Sequence, residues 1–178
     1  MEIKIDKIES NDYYGEVLAV MSNYSKLVKN PAQKIRGLNR QAILLTGISV
    51  VFLAIFSILY LLNQSYAPYL FVIAIFSIAL FLGIIYIVLI NRRISKLKNN
   101  NSDKKLIIEE DHVEMHIGDE QFTLNFDDMQ WIILNRHSIT FLPKNNDDSL
   151  IAIGIRYKSQ VISNIKEKSL IVDNSSLY

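Results

Sequence analysis

Cysteine is absent from the 178 residues, so no disulfide, thiolate nucleophile or zinc–thiolate site is available. Glycine numbers six and proline three. No phosphate-cradling glycine loop occurs, and neither a nucleophile elbow nor the histidine–glutamate zinc motif is present. No internal repeat is visible. The first forty residues hold no long apolar run. A cleavable secretion leader is therefore not expected, and the first apolar segment is expected to direct insertion itself. The largest absence is of charge. Between Gln41 and Ile90 no Asp, Glu, Lys, Arg or His occurs, which argues against a proton or ion pathway through this stretch.

What fills the uncharged stretch is hydrocarbon. Ala42–Leu62 and Pro68–Ile90 are apolar runs of 21 and 23 residues, separated only by Asn63, Gln64, Ser65, Tyr66 and Ala67. As helices they reach roughly 32 and 35 Å, enough to cross a hydrocarbon layer of about 30 Å. The first run carries fourteen Leu, Ile, Val or Phe, worth roughly −4 to −8 kcal/mol on an insertion scale. A buried helix of a soluble protein would keep a polar stripe, and neither run has one. Backbone groups in lipid must be satisfied within the segment, so the pair is expected as an antiparallel helical hairpin. Ala79 and Gly83, four residues apart, would let helices approach closely, within the chain or between copies.

Basic residues flank the hairpin on both sides. Lys26, Lys29, Lys34, Arg36 and Arg40 precede it, and Arg92, Arg93, Lys96, Lys98, Lys104 and Lys105 follow, with Asp103 the one acid among them. The connecting loop is uncharged. The positive-inside rule then puts both termini in the cytoplasm of a multi-pass plasma-membrane protein, with Tyr60, Tyr66 and Tyr69 as an aromatic belt at the outer interface. The net charge of +1 hides a segregation, since Leu106–Asp173 holds twelve acidic and six basic residues. The basic collar suits anionic lipid. An acidic folded part argues against nucleic acid as a partner, because that would need basic and aromatic residues interleaved on a folded face.

Outside the hairpin the periodicity is mixed. Met1–Ile8 alternates as a strand, and from Asn11 the spacing of Tyr13, Val17, Val20, Met21, Tyr24, Leu27 and Val28 predicts an amphipathic helix closed by Pro31, with Asp12 and Glu16 near its start. Packing of this segment on the distal domain is favoured over lying on a membrane. After a polar linker at 99–103 the pattern predicts strands over Lys105–Glu109, His112–Ile117, Gln121–Phe126, Trp131–Leu134, Ser138–Leu142 and Leu150–Ile155. A helix from Gln160 to Lys168, capped by Ser159, closes the chain. Six short antiparallel strands and one helix predict an α+β domain, a small barrel or split sheet plugged by that helix. Some seventy residues is thin for such a core, and the N-terminal strand and helix are candidates to complete it.

Few constellations suggest chemistry. His112, Glu114 and His116 share one strand face and superficially resemble a two-histidine, one-carboxylate metal site. Alternate residues on a strand lie about 6.5–7 Å apart, leaving the histidines roughly 13 Å from each other along the backbone, so a solvated face is the expectation. His137 falls in a turn. Asp127-Asp128 and Asp147-Asp148 read as turn residues rather than catalytic dyads, and Trp131 reads as a core anchor. No catalytic, cofactor-binding or metal-binding residue is expected.

The order strand, amphipathic helix, two-helix hairpin and then Leu-Ile-Ile-Glu-Glu-Asp (106–111), Phe-Asp-Asp-Met-Gln-Trp-Ile (126–132), Ser-Ile-Thr-Phe-Leu (138–142) and Ile-Ala-Ile-Gly-Ile-Arg-Tyr (151–157) resembles the YcxB-like membrane proteins of Gram-positive bacteria. The resemblance covers most of the chain. It implies a C-terminal module similar to a pleckstrin-homology domain, although Gly154-Ile155-Arg156 stands where the family has a proline, and it implies no established activity. The domain plan is then a cytosolic strand and helix over 1–40, the hairpin over 41–90, a basic linker over 91–105 and the β-rich domain over 106–178. The expected function is a non-enzymatic membrane protein with a cytosolic interaction domain, a scaffold or regulatory component with a protein partner and a capacity to self-associate. An immunity protein against a membrane-acting toxin is the alternative, and a lipid-sensing module the second.

Overall fold

The computed structural model describes residues 1–5, 9–33, 35, 37–63, 67–99, 103–145 and 149–176. Lys34, Arg36, Tyr66, Asp147 and Asp148, all singled out above, lie outside the described residues. The chain divides into two compact units, Met1–Gly37 with Lys96–Tyr178, and Leu38–Ser95.

The first unit is built from both flanks of the hairpin. Strand β1 (Glu2–Ile5) pairs antiparallel with β2 (Lys104–Ile108), which continues into β3 (His112–Ile117) and β4 (Glu120–Asn125), giving a sheet of order β1-β2-β3-β4. The N-terminal strand therefore joins the distal sheet, with Ile3 opposite Leu106. Its alternation places Ile3 and Ile5 inward beside Leu106, Ile108, Val113 and Met115, all buried. Each such side chain contributes about 1.5–3 kcal/mol on burial. Gly118 turns β3 into β4 at φ 60, a left-handed value that a side chain would resist.

A 3-10 turn at Phe126–Asp128 leads into the second sheet, formed by β5 (Met129–Leu134), β6 (Ser138–Pro143), β7 (Ile151–Gly154) and β8 (Ile171–Asp173) in the order β7-β6-β5-β8. The two sheets share no strand pairing among the described residues, so the domain is a split sheet and not a closed barrel. Nor is it wholly antiparallel, because β8 runs parallel to β5. Phe126, Ile132, Leu134, Ile139, Phe141, Ile151 and Ile153 meet the first sheet's inner face in one core.

Two helices precede the hairpin where one was expected. Helix α1 (Asn11–Ser22) begins with the Ser10 hydroxyl accepting from the Tyr13 amide at 3.2 Å. It ends at Asn23, whose side-chain amide donates to Ala19 O at 2.9 Å. That competition with the backbone ladder separates α1 from α2 (Tyr24–Lys29). Helix α1 lies on the outer face of β6. The closing helix, α5, spans Lys158–Asn164 rather than Gln160–Lys168, and Ser159 is not its cap. The 3-10 turn at Ile155–Tyr157 runs directly into it, so Ser159 already sits in the first helical turn. Val161 and Ile165 still plug the core.

The second unit consists of α3 (Leu38–Leu62) and most of α4 (Pro68–Asn99), two helices long and apolar enough to cross a membrane. Pro68 opens α4 at the one helical position where its missing N–H costs nothing. The helices run antiparallel, with the Phe52 and Phe76 rings stacked at 4.9 Å and Phe56 6.3 Å from Tyr69. A Cβ on Gly83 would lie 2.5 Å from Thr46 Oγ1, so this glycine serves close packing within the hairpin, while Ala79 stays exposed. Thr46 and Ser49 donate to Ala42 O and Leu45 O at 2.8 and 3.1 Å, leaving neither hydroxyl unsatisfied.

Candidate functional site

The contacts in the second unit place the basic and aromatic residues at opposite ends. Since Thr46 meets Gly83 and Phe52 meets Phe76, antiparallel register brings Arg40 to the same end as Arg92 and Arg93, and Tyr60 and Tyr69 to the other. Arg92, Arg93 and Lys96 are exposed and Lys98 is half-buried.

On β3, alternation sets His112, Glu114 and His116 on the outer face, as expected, but the side chains lean together. Glu114 bridges both rings, Oε1 lying 3.1 Å from His112 Nε2 and Oε2 lying 3.1 Å from His116 Nε2. His112 Nδ1 meets Asp111 Oδ1 at 2.6 Å. The hydrogen bond to Asp111 holds the His112 imidazole above its usual range and Asp111 below its own. The bond to His116, followed by that to His112, lowers Glu114. The two rings take different oxygens of one carboxylate, a hydrogen-bonded bridge and not a convergent metal shell. Ligand atoms of Glu109, Asp111 and His112 do lie within 4.8 Å of one another, yet both carboxylates are exposed and His112 is already committed to Asp111.

A second polar cluster joins α1 to the turn before β6. Glu16 is 3% exposed and accepts from the His137 amide and the Ser138 hydroxyl, each at 2.9 Å. It is thus an interior group, not the solvent-facing partner of a helix dipole. Burial raises its pKa, and the bonds from His137 and Ser138 act against that. His137 is not simply a surface turn residue, because Nε2 is buried with no hydrogen bond among the described residues, 3.8 Å from Asp12 Oδ2. Ser138 is fully buried and donates to a carboxylate, so no ring nitrogen activates it. The cluster fastens an element and does not present a nucleophile.

Trp131 is half-buried and lies outside the central core. Its Nε1 donates to Val28 O at 3.2 Å, so the indole staples α2 to β5. Tyr13, Tyr24 and Asn174 act similarly, donating at 2.8 Å to Ala152 O, Pro143 O and Pro31 O. Asp127 and Asp128 lie exposed in the 3-10 turn, where Asp128 Oδ2 accepts from Asn125 Nδ2 at 3.1 Å, the turn role expected of them.

The site that sequence reasoning missed is a cavity of about 380 Å³ within the first unit. It opens where α1, the β3–β4 end of the first sheet and the start of β7 meet. Tyr14 and Val17, Ile117 and Phe122, and Leu150 line it, with Lys104 among them. The one available signal was Lys104 at an inward position of β2, two residues from Leu106 and four from Ile108.

Neither a family model, nor a curated protein, nor a solved structure matches the chain.

Proposed function

We propose that the protein is an integral membrane protein anchored by the α3–α4 hairpin, with both ends in the cytoplasm, and that its mixed α/β unit is a non-enzymatic interaction module with a scaffold or regulatory role and a protein partner, as an YcxB-like protein. The observation that carries this reading is the outward apolar surface of the hairpin. Leu62 and Phe71 are 78% and 71% exposed, and the most apolar windows of the two helices are only 11% and 6% buried. Such a surface in water would be a large aggregation liability, whereas in lipid it is the solvent-compatible face.

The connectivity supports this topology: the first unit is assembled from Met1–Gly37 and Lys96–Tyr178, as a hairpin crossing twice would allow. Around Glu114 the polar groups form an outer-face hydrogen-bonded ladder, and Glu16 is held by two buried donors, which supports binding rather than catalysis. Absence of native cysteine makes the test direct. Asn63→Cys should react with a membrane-impermeant maleimide on intact cells, and Ser175→Cys only after permeabilisation. Release of the protein by alkaline carbonate, or labelling of Ser175→Cys from outside, refutes the anchoring. In-cell crosslinking of the full chain should capture a discrete protein partner, and an identical pattern from a chain with a scrambled β3–β4 face would refute that assignment.

A further inference from the structure

By strand alternation Lys104 points to the core side of β2, with Leu106 and Ile108, yet both of those are buried and it is half-buried. An inward lysine at the end of a sheet sandwich is costly unless something meets its ammonium. No hydrogen bond or ion pair reaches it among the described residues; burial lowers its pKa, and the Glu9 carboxylate, itself paired with Arg156 at 2.8 Å, acts the other way from a distance. It lines the cavity together with Lys96, and no Asp or Glu among the described residues does. Tyr14, 4% exposed, also lines the cavity, and its hydroxyl has no partner among the described residues. The neighbouring Tyr13 hydroxyl is by contrast satisfied by Ala152 O at 2.8 Å. The remaining wall is hydrocarbon, chiefly Val17, Met115, Ile117, Phe122 and Leu150. A half-buried lysine and a phenol, with the exposed Lys96 at the rim, on an otherwise largely apolar cavity ask for a ligand with an anionic end and an apolar body. A compact inorganic anion would leave the hydrocarbon wall unused, and a neutral hydrocarbon would leave the ammonium desolvated and unpaired.

We propose that this cavity binds a single-chain anionic amphiphile, its carboxylate or phosphate held by Lys104 and the Tyr14 hydroxyl and its alkyl chain laid along Ile117, Phe122 and Leu150. The inference goes beyond the anchoring reading, because every group it uses belongs to the first unit, and a failed carbonate or topology test leaves it standing.

The test uses the full chain in phosphatidylcholine nanodiscs and a palmitate bearing a diazirine near its methyl end. Photolysis and peptide mapping should place the adduct in segments 113–122 or 149–152. Lys104→Met should reduce that adduct about tenfold or more, the loss of one charge-assisted hydrogen bond, while Lys104→Arg retains most of it. Lys105→Met, on the opposite strand face and paired with Glu2 at 2.7 Å, should leave it unchanged. Trp131 fluorescence melts establish that each variant is folded, and Tyr14→Phe gives a second, milder loss should Lys104→Met fail to fold. Displacement by oleate alone identifies a free fatty acid, displacement by a lysophosphatidyl lipid alone identifies a phosphate headgroup, and displacement by both supports the shared chemistry. Labelling confined to α3 and α4, an adduct insensitive to both Lys104→Met and Tyr14→Phe, or equal displacement by oleyl alcohol overturns the proposal.

Discussion

Removing the Glu16 carboxylate should loosen the N-terminal helix from the second sheet. Glu16→Ala leaves two donors without an acceptor, the His137 amide and the fully buried Ser138 hydroxyl, each now 2.9 Å from the carboxylate. Unsatisfied buried donors cost about 1–3 kcal/mol each. Two effects pull the sum down. The variant no longer keeps a carboxylate in a place where burial raises its pKa, and the Ser138 hydroxyl can rotate toward Asn135, whose Nδ2 lies 3.4 Å away and whose Oδ1 is buried without a partner. A net loss of about 2–3 kcal/mol is expected. At roughly 4 °C per kcal/mol for a unit of this size, the melting temperature should fall by some 8–12 °C. Trp131 is the only tryptophan and sits where α2 meets β5, so its emission during thermal unfolding of the detergent-solubilised chain reads this seam. Glu16→Gln, which keeps one acceptor oxygen, should lose less than half as much. Adding Ser138→Ala to Glu16→Ala should recover part of the loss, since the second change removes the orphaned donor, and the resulting double-mutant cycle measures the coupling. The pH dependence has a fixed sign. A carboxylate raised in the folded state contributes stability below its unfolded value, near 4.5, and loses it as pH rises through the folded value, so the Glu16→Gln variant should flatten that part of the curve. A Glu16→Ala protein melting within about 2 °C of the parent, at that sensitivity under 0.5 kcal/mol, would refute the account of this cluster.

Other tests follow from the same geometry. Gly83→Leu should separate α3 from α4, because even a Cβ there comes within 2.5 Å of Thr46 Oγ1; disulfide trapping between cysteines introduced at Phe52 and Phe76 should slow, and Thr46→Ala should partly restore it. His112, held above its usual range chiefly by Asp111, should show by NMR a pKa that falls toward the ordinary value in Asp111→Asn. The stability it supplies is full below its unfolded value and is lost as pH rises through the folded one. Asp173, lowered to about 2 chiefly by its bond from Lys158, should contribute stability above its unfolded value and lose it as pH falls toward the folded one; Lys158→Met should raise the acid midpoint, read by hydrogen exchange on β8. Gly154→Ala should push a Cβ into the Glu9 carboxylate and disturb its 2.8 Å pair with Arg156. The far end of a glutamate yields, so the loss should stay near 1 kcal/mol in a thermal melt.

The strands that were legible are those with one wet face. In β1, β3 and β4 apolar residues alternate with charged or polar ones, and the structure keeps that alternation at Ile3 and Ile5, Val113 and Met115, and Leu124. Strand β6 follows another rule. Ser138 and Thr140 alternate with Ile139 and Phe141 as an outer face should, yet all four are buried, because α1 lies over that face from more than a hundred residues upstream. Periodicity reports polarity, and here Ser138 meets Glu16 rather than water, while the Thr140 hydroxyl is buried with no hydrogen bond among the described residues. Glu16 was not legible for the same reason, since its place near the helix start is all the sequence shows and only the fold reveals the turn it caps. Strand β8 offers three residues, Ile171–Asp173, too few for a period to register, and its parallel partner is set by what α5 does before it.

The ladder on β3 marks the limit of arguing from backbone spacing. The Cα separation is a sound reason why His112 and His116 do not share one ion, but it says nothing of a third side chain between them long enough to touch both, as Glu114 does at 3.1 Å to each ring. Lys104 is the converse case. Its alternation with Leu106 and Ile108 was legible, but the connection to the basic residues 92–98 made it look like one more member of a collar. Its half-burial without an ion partner separates it from Lys105, which reaches Glu2 at 2.7 Å on the wet side of the same strand. Two adjacent lysines in one strand therefore face opposite solvents, and the inward one has no ion pair among the described residues. That is why Lys104→Met and Lys105→Met form the sharpest pair of variants for this protein, identical in charge and composition and opposite in which face they alter.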